Sequence, residues 1–203
     1  MSSTHKIRHK SGCKVLWNEK GFAPFSVDWN VKSENFNKGQ KMKIRRAVPG
    51  DMENIFAIYA YARQQMRLAG NPDQWGDSHP SMEIVQKDIA DGSSYVVTDE
   101  KDEICAVFAF IIGEEPTYRK IENGHWLSDD AYGTLHRVAS SGRQKGILKL
   151  CLAYCEAKMP NVRVDTHGQN RIMQHLLEKN GYQRCGIIHV ADGSPRIAYQ
   201  KKG

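Results

Sequence analysis

The run from Leu135 to Tyr154 limits what this chain can fold into more than any other part of it. It opens with Leu135 and Val138, passes through Ser140-Ser141-Gly142-Arg143-Gln144-Lys145-Gly146, and goes on with Ile147, Leu150, Cys151 and Tyr154 at helical spacing. A strand that stops where a helix starts leaves first-turn N–H groups without intrahelical acceptors, at the positive end of the helix dipole. Gly142 and Gly146 let a ligand approach the main chain, and Arg143, Lys145 and Lys149 add positive charge. Such a turn suits a phosphate.

The rest of the chain narrows the class. Its 203 residues suit one domain with a tail. The formal charge of +6 is uneven: residues 1–41 hold eight Lys/Arg against three Asp/Glu, and the remainder is nearly neutral. A basic face on the domain itself, as nucleic-acid binding would require, is therefore not expected. The five cysteines (Cys13, Cys105, Cys151, Cys155, Cys185) are odd in number and include no Cys-x-x-Cys, so neither a disulfide framework nor a zinc ribbon is indicated. The longest apolar run, Ile104 to Ile112, is a buried-strand length, short of a membrane span. A soluble, cytoplasmic protein without a membrane segment or metal is expected.

Residues 1–41 show no sustained period and read as a disordered basic extension, with Met42 a candidate for the biological start. From Met42 onward the periodicities give strand (43–48), helix from about Asp51 to Ala69, helix (81–90), strands at 95–98 and 103–112, and a polar segment at 113–130 with little regular structure. Strand (135–139), helix to Pro160, strand (162–166), helix from Asn170 with the face Ile172, Met173, Leu176 and Leu177, and strands at 182–190 and 196–200 complete it. The expected class is mixed α/β, a twisted mixed sheet with helices on both faces.

Arg143-Gln144-Lys145-Gly146 resembles the start of the Arg/Gln-x-x-Gly-x-Gly/Ala segment with which the GNAT superfamily of N-acetyltransferases holds the pyrophosphate of acetyl-CoA, with Leu148 at the last Gly/Ala position. Val138 stands where that family has the Val of its central strand. Asn170 through Leu176-Leu177-Glu178-Lys179-Asn180-Gly181-Tyr182 resembles the family's Asn-to-Gly-Phe helix and turn, and the element order agrees over residues 42–200.

The resemblance implies a GNAT-like domain at 42–203 that uses acetyl-CoA to acetylate a primary amine of a small-molecule or peptide acceptor. It implies that Val138, Ala139, Gly142, Arg143, Gln144, Lys145, Gly146, Ile147 and Leu148 bind the cofactor, with pantetheine between two splayed parallel strands. Asn170 either bonds the pantetheine arm or simply caps its helix. His136 is the candidate catalytic base, expected on the same strand face as Val138; Asp165 and His167 are alternates. Trp75 covers the acceptor or plugs the core, and Arg196 meets an acceptor carboxylate or a surface acid. The family's general-acid tyrosine position is Leu177, and Tyr182 is expected to pack with its hydroxyl at the surface.

Two rival readings stay open. One is a non-catalytic acyl-CoA-binding module; the other is nucleic-acid contact through the basic tail. The oligomeric state is open too, a homodimer being one option.

Overall fold

The computed structural model describes residues 42–203, so the reading of the basic extension lies outside the described residues. The elements are β1 (Lys43–Arg46), α1 (Met52–Leu68), α2 (Met82–Ala90), β2 (Ser94–Thr98), β3 (Ile104–Ile112), β4 (Gly133–Ser140), α3 (Ile147–Lys158), β5 (Asn161–Thr166), α4 (Arg171–Lys179), β6 (Gln183–His189) and β7 (Pro195–Lys202). Order and type follow the sequence pattern. The first strand stops earlier than its alternation suggested, because Pro49 opens a 3-10 turn. There Arg45 grips Asp51 through two bonds of 2.7 and 2.9 Å, and the same carboxylate accepts the Val48 N–H at 2.9 Å.

Seven strands form one sheet in the order β1-β2-β3-β4-β5-β7-β6. All neighbours are antiparallel except β4 and β5. Strand β3, continuously apolar, is buried nearly throughout, as a central strand covered on both faces must be. On one face Ile55, Ile58 and Tyr59 of α1 and Val85 of α2 pack on Val96, Val107 and Ala139. On the other, Ile147, Leu150, Cys151 and Cys155 of α3 and Leu177 of α4 pack on Val97, Phe108, Leu135 and Val164. The Cys151 and Cys155 thiols are thus core side chains, and burial pushes both pKa values up. No helix among the described residues is long and apolar enough to cross a membrane.

One local feature differs from the sequence expectation. Ile172, placed on the buried face of its helix, is 62% exposed, because it lies in the first turn of a short helix and faces a groove rather than the core. The segment 113–130 has little regular structure, as expected, a 3-10 turn at Pro116–Tyr118 and a bridge between Glu122 and Ile187, and it is tightly held. Its anchor is Arg163 of β5, whose guanidinium lies between the Trp126 and Tyr132 rings at 4.0 and 3.9 Å and donates to the Ser128 carbonyl at 2.8 Å.

The feature that sets the site is a bulge in the middle of β4. Ala109 pairs with His136 and Val107 with Ala139, so Arg137 and Val138 together oppose Phe108. Arg137 takes φ 54°, in the left-handed region. The extra residue shifts the alternation: Val138 joins Leu135 in the cluster under α3, whereas His136 turns to the other side, beside Tyr118. The expectation that His136 and Val138 share a face is corrected by this bulge. It is held by a two-pronged pair from Arg137 to Asp88 of α2, at 3.0 and 2.9 Å, and by the Tyr59 hydroxyl donating to the Arg137 carbonyl at 3.3 Å.

Both members of the Arg137–Asp88 pair are largely buried, with side chains 15% and 11% exposed. Removing one partner leaves the other charge without compensation. Asp88→Ala is expected to lower unfolding free energy in urea by about 3–5 kcal/mol; a loss below about 1 kcal/mol would show that the pair does not hold the bulge.

Candidate active site

Strands β4 and β5 pair only at Gly133–Val162, Thr134–Arg163 and Leu135–Val164. Beyond Leu135 they part, although β4 runs on to Ser140 and β5 to Thr166. Main-chain groups on the facing edges are left for another partner. A cavity of about 470 Å³ begins at this opening, walled by α1, the 140–149 loop and the start of α4.

The loop is shaped by two glycines in left-handed conformations, Gly142 at φ 75° and Gly146 at φ 78°. A Cβ on Gly142 would come within 2.4 Å of the Tyr61 hydroxyl, so a side chain there would have to displace that ring as well as adopt a left-handed backbone. Gly146 is the N-cap of α3 and supplies no side chain to the first-turn N–H groups, whereas α2 and α4 begin with Ser81 and Asn170 side-chain caps. Val138, Ala139, Gly142, Gln144, Gly146, Ile147, Leu148 and Asn170 all line this cavity. The Gln144 Oε1 is buried and has no hydrogen-bond partner among the described residues.

Two of the loop residues expected there lie elsewhere. Lys145 is outside the lining. Arg143 turns toward β3, pairing with Glu103 at 2.8 Å and donating to the Ile104 carbonyl at 2.9 Å. The nearest acid and carbonyl captured it. Both partners are about half exposed, so the pair contributes about 0–1 kcal/mol and holds the guanidinium weakly.

A second cavity, of about 640 Å³, lies against the first, and Met66, Val138, Asn170 and Met173 line both. His136 stands in its wall between two carboxylates. Its Nε2 is 3.4 Å from Glu115 Oε2, and its Nδ1 is 3.9 Å from Asp165 Oδ1. Glu115 also accepts from the Thr117 N–H and hydroxyl at 3.2 and 2.9 Å, and its own N–H donates to the Tyr132 hydroxyl at 2.9 Å. The hydrogen bond from His136 holds the Glu115 carboxyl down at about 2, against burial. Asp165 is fixed by the buried Tyr118 hydroxyl at 2.7 Å. Each ring nitrogen thus faces a carboxylate, Nε2 the closer one.

Glu115 and Tyr118 were missed in the sequence. They lie in a segment without period, and the only signal was a pair of acids followed by Pro-Thr-Tyr in an otherwise turn-like stretch. Of the expected acceptor residues, Trp75 both joins the core, edge-on to Tyr59, and lines the second cavity. Arg196 lines it too and is 8% exposed, because strand β7 carries the side chain inward, and its charge acts on the exposed Asp192 without a direct ion pair. Asn170 accepts the Met173 N–H at 3.1 Å and donates to Gln74 at 2.8 Å, which fills the capping reading. His167 bonds the Gln169 N–H at 3.3 Å, outside the second cavity's lining. Leu177 is fully buried. Tyr182 is buried as well, and its hydroxyl meets Glu156 at 3.2 Å.

No protein-family model and no curated protein matches the chain. Solved structures do. A GNAT-family acetyltransferase from Streptococcus agalactiae is 37% identical, with a TM-score of 0.72, over 80% of this chain and 95% of that one. One from Listeria monocytogenes is 20% identical, with a TM-score of 0.60, over 80% and 95%. A GNAT-superfamily phosphinothricin acetyltransferase from Sinorhizobium meliloti, solved in complex with acetyl-CoA, is 16% identical, with a TM-score of 0.54, over 79% and 87%. The latter two share the fold. Given the agreement with the streptococcal relative in sequence and structure along nearly its whole length, this chain belongs to the GNAT family of acetyltransferases.

Proposed function

We propose that the chain moves an acetyl group from acetyl-CoA to a primary amine of a small-molecule or peptide acceptor, with the coenzyme in the first cavity and the acceptor in the second. The observation that carries this reading is the parting of β4 and β5 beside a glycine loop that opens α3. The residues fit the coenzyme on three counts. The α3 N-terminus has no side-chain cap, no atom lies within 4 Å of a Cβ built on Gly146, and the Gln144 Oε1 is a buried acceptor awaiting a donor. Phosphates would meet the N–H groups around Gly146, Ile147 and Leu148, and pantetheine would lie along Val138 and Ala139 as an added strand does. Asn170 would keep the start of α4 in place at the junction of the cavities. Arg143 and Lys145 would contribute charge from the loop's outer side.

When bound, acetyl-CoA supplies the thioester: a nitrogen–carbon bond forms as the carbon–sulfur bond breaks. His136 would take the proton from the acceptor nitrogen at Nδ1, and Glu115, 3.4 Å from Nε2, would fix the ring by accepting Nε2–H. Asp165, 3.9 Å from Nδ1, would stabilise the imidazolium that results. Leu177 cannot protonate the departing sulfur and Tyr182 is tied to Glu156, so that proton would come from solvent. Four buried, unpaired thiols and the lack of a membrane-spanning helix among the described residues support a reducing, cytoplasmic setting.

His136→Ala is expected to lower kcat for acetyl transfer by ~10²–10⁴-fold with acetyl-CoA affinity within a few-fold of wild type, measured by thiol release and calorimetry. An unchanged kcat would remove His136 from the chemistry. Coenzyme binding without thiol release, on any amine, would favour the non-catalytic alternative.

The depressed Glu115 pKa makes its contribution to stability fully present above its ordinary value of 4.5 and lost as pH falls toward about 2. Glu115→Gln should therefore flatten the acid limb of the stability–pH curve in that window, by on the order of 1 kcal/mol after solvent screening. Identical acid limbs for the two proteins would contradict the assignment.

A further inference from the structure

Two arginines line the second cavity, and they differ in one respect. Arg137 is neutralised by Asp88. Arg196, 8% exposed, donates to the Ser194 hydroxyl at 2.9 Å, the Pro195 carbonyl at 3.1 Å and the Gln74 carbonyl at 3.5 Å, all neutral oxygens. Among the described residues no carboxylate is in ion-pair contact with it. Asp192, exposed, is bonded by the Ser194 hydroxyl and N–H, which together with the Arg196 charge hold its carboxyl below the usual range, but it makes no direct ion-pair contact with the guanidinium. A guanidinium removed from water without a direct counter-ion is costly, and a planar fork of donors is the geometry that receives a carboxylate.

The place of Arg196 in the sheet relates it to the candidate base. Ala198 of β7 is the cross-strand partner of Asp165, so Arg196, two residues back along β7, projects on the same sheet face as Asp165. In a regular antiparallel pair such diagonal neighbours are about 7–8 Å apart. Asp165 in turn flanks His136 Nδ1 at 3.9 Å. Glu115 and Asp165 thus stand around His136, and Arg196 lies farther along the same wall with the Asp192 carboxylate beside it, over a span that one small molecule can bridge. His79, also in the wall, is pushed toward its neutral form by burial and by Arg137 and Arg196, so it adds no second cation there.

We propose that the acceptor is a small zwitterion of the amino acid class, whose carboxylate pairs with Arg196 while its amine faces His136. The carboxylates around His136 draw the ammonium and the buried arginine fixes the carboxylate, so the two charges of the acceptor are read separately. This rests on the acetyltransferase reading, and narrows its acceptor to amines that also carry a carboxylate.

The test is thiol release by the full chain with acetyl-CoA, over a panel of free amino acids and short ω-amino acids. Each is matched with its carboxamide and with the amine lacking the carboxyl group. At least one acid should exceed both of its matched neutral analogues by about 100-fold or more in kcat/KM, because the analogues leave the buried guanidinium unpaired. Arg196→Lys keeps the charge but loses the fork, and Arg196→Met loses both. Each should raise KM for that acid and bring the acid-to-amide ratio toward one, with calorimetric acetyl-CoA binding reporting that the variant is folded. If wild type turns over the neutral amines as well as or better than the acids, the zwitterion is excluded and acetyl transfer stands. If acetyl-CoA binds but no panel member releases thiol, both proposals fall. If a ratio favouring the acid survives unchanged in a folded Arg196→Met protein, some other group reads the carboxylate and the assignment to Arg196 is wrong.

Discussion

The whole site follows from one interrupted ladder. Strands β4 and β5 are the only parallel neighbours in the sheet, and they share three residue pairs before they separate. Backbone N–H and C=O groups tolerate burial only when paired, so a strand that loses its neighbour inside a domain must find another partner, in water or in a ligand. What keeps the gap open is local. The β4 bulge turns Val138 into the cluster beneath α3, and the strand then bends away into the glycine loop that starts that helix. The bulge persists because Arg137 is locked by Asp88 from a helix on the opposite face. Strain at one residue is thus carried by a buried ion pair between elements far apart in sequence.

The same bulge separates the residues that face the two cavities. By moving one residue out of the alternation it leaves His136 on the face where Glu115 and Asp165 wait, while the next residues serve the neighbouring cavity. The imidazole is oriented rather than merely buried. Glu115 is held by Thr117 and Tyr132, and Asp165 by Tyr118, whose ring stacks on Trp126 at 5.2 Å. The segment that carries Glu115 has almost no regular structure, and aromatic stacking around Arg163 does for it what a helix or strand does elsewhere.

The fold was legible because its cues are periodic or punctuating. Continuous apolar β3, the Gly142 to Gly146 turn, the Asn170 cap and the glycine after α4 each specify local geometry without reference to the rest of the chain. The turn between β4 and α3 was legible for the same reason, since its residues are contiguous. Three things were not. A bulge depends on pairing with a second strand, so the face of Val138 could not be read from alternation along β4 alone. The direction of Arg143 was decided by Glu103, forty positions away and adjacent only through the β3–β4 pairing. Glu115 comes from a segment without period that tertiary packing brings to His136, and no spacing in the sequence encodes that meeting.

The central claim is that the opening between β4 and β5, together with the backbone of residues 142–148, is a coenzyme site. A crystal structure of the full chain grown with coenzyme A tests it most directly. The account predicts the pyrophosphate on the N–H groups around Gly146 at the start of α3, and the pantetheine arm along Val138 and Ala139 with its thiol pointing toward His136. Coenzyme A bound on another surface, or density showing β4 and β5 closed onto each other beyond Leu135, would contradict it.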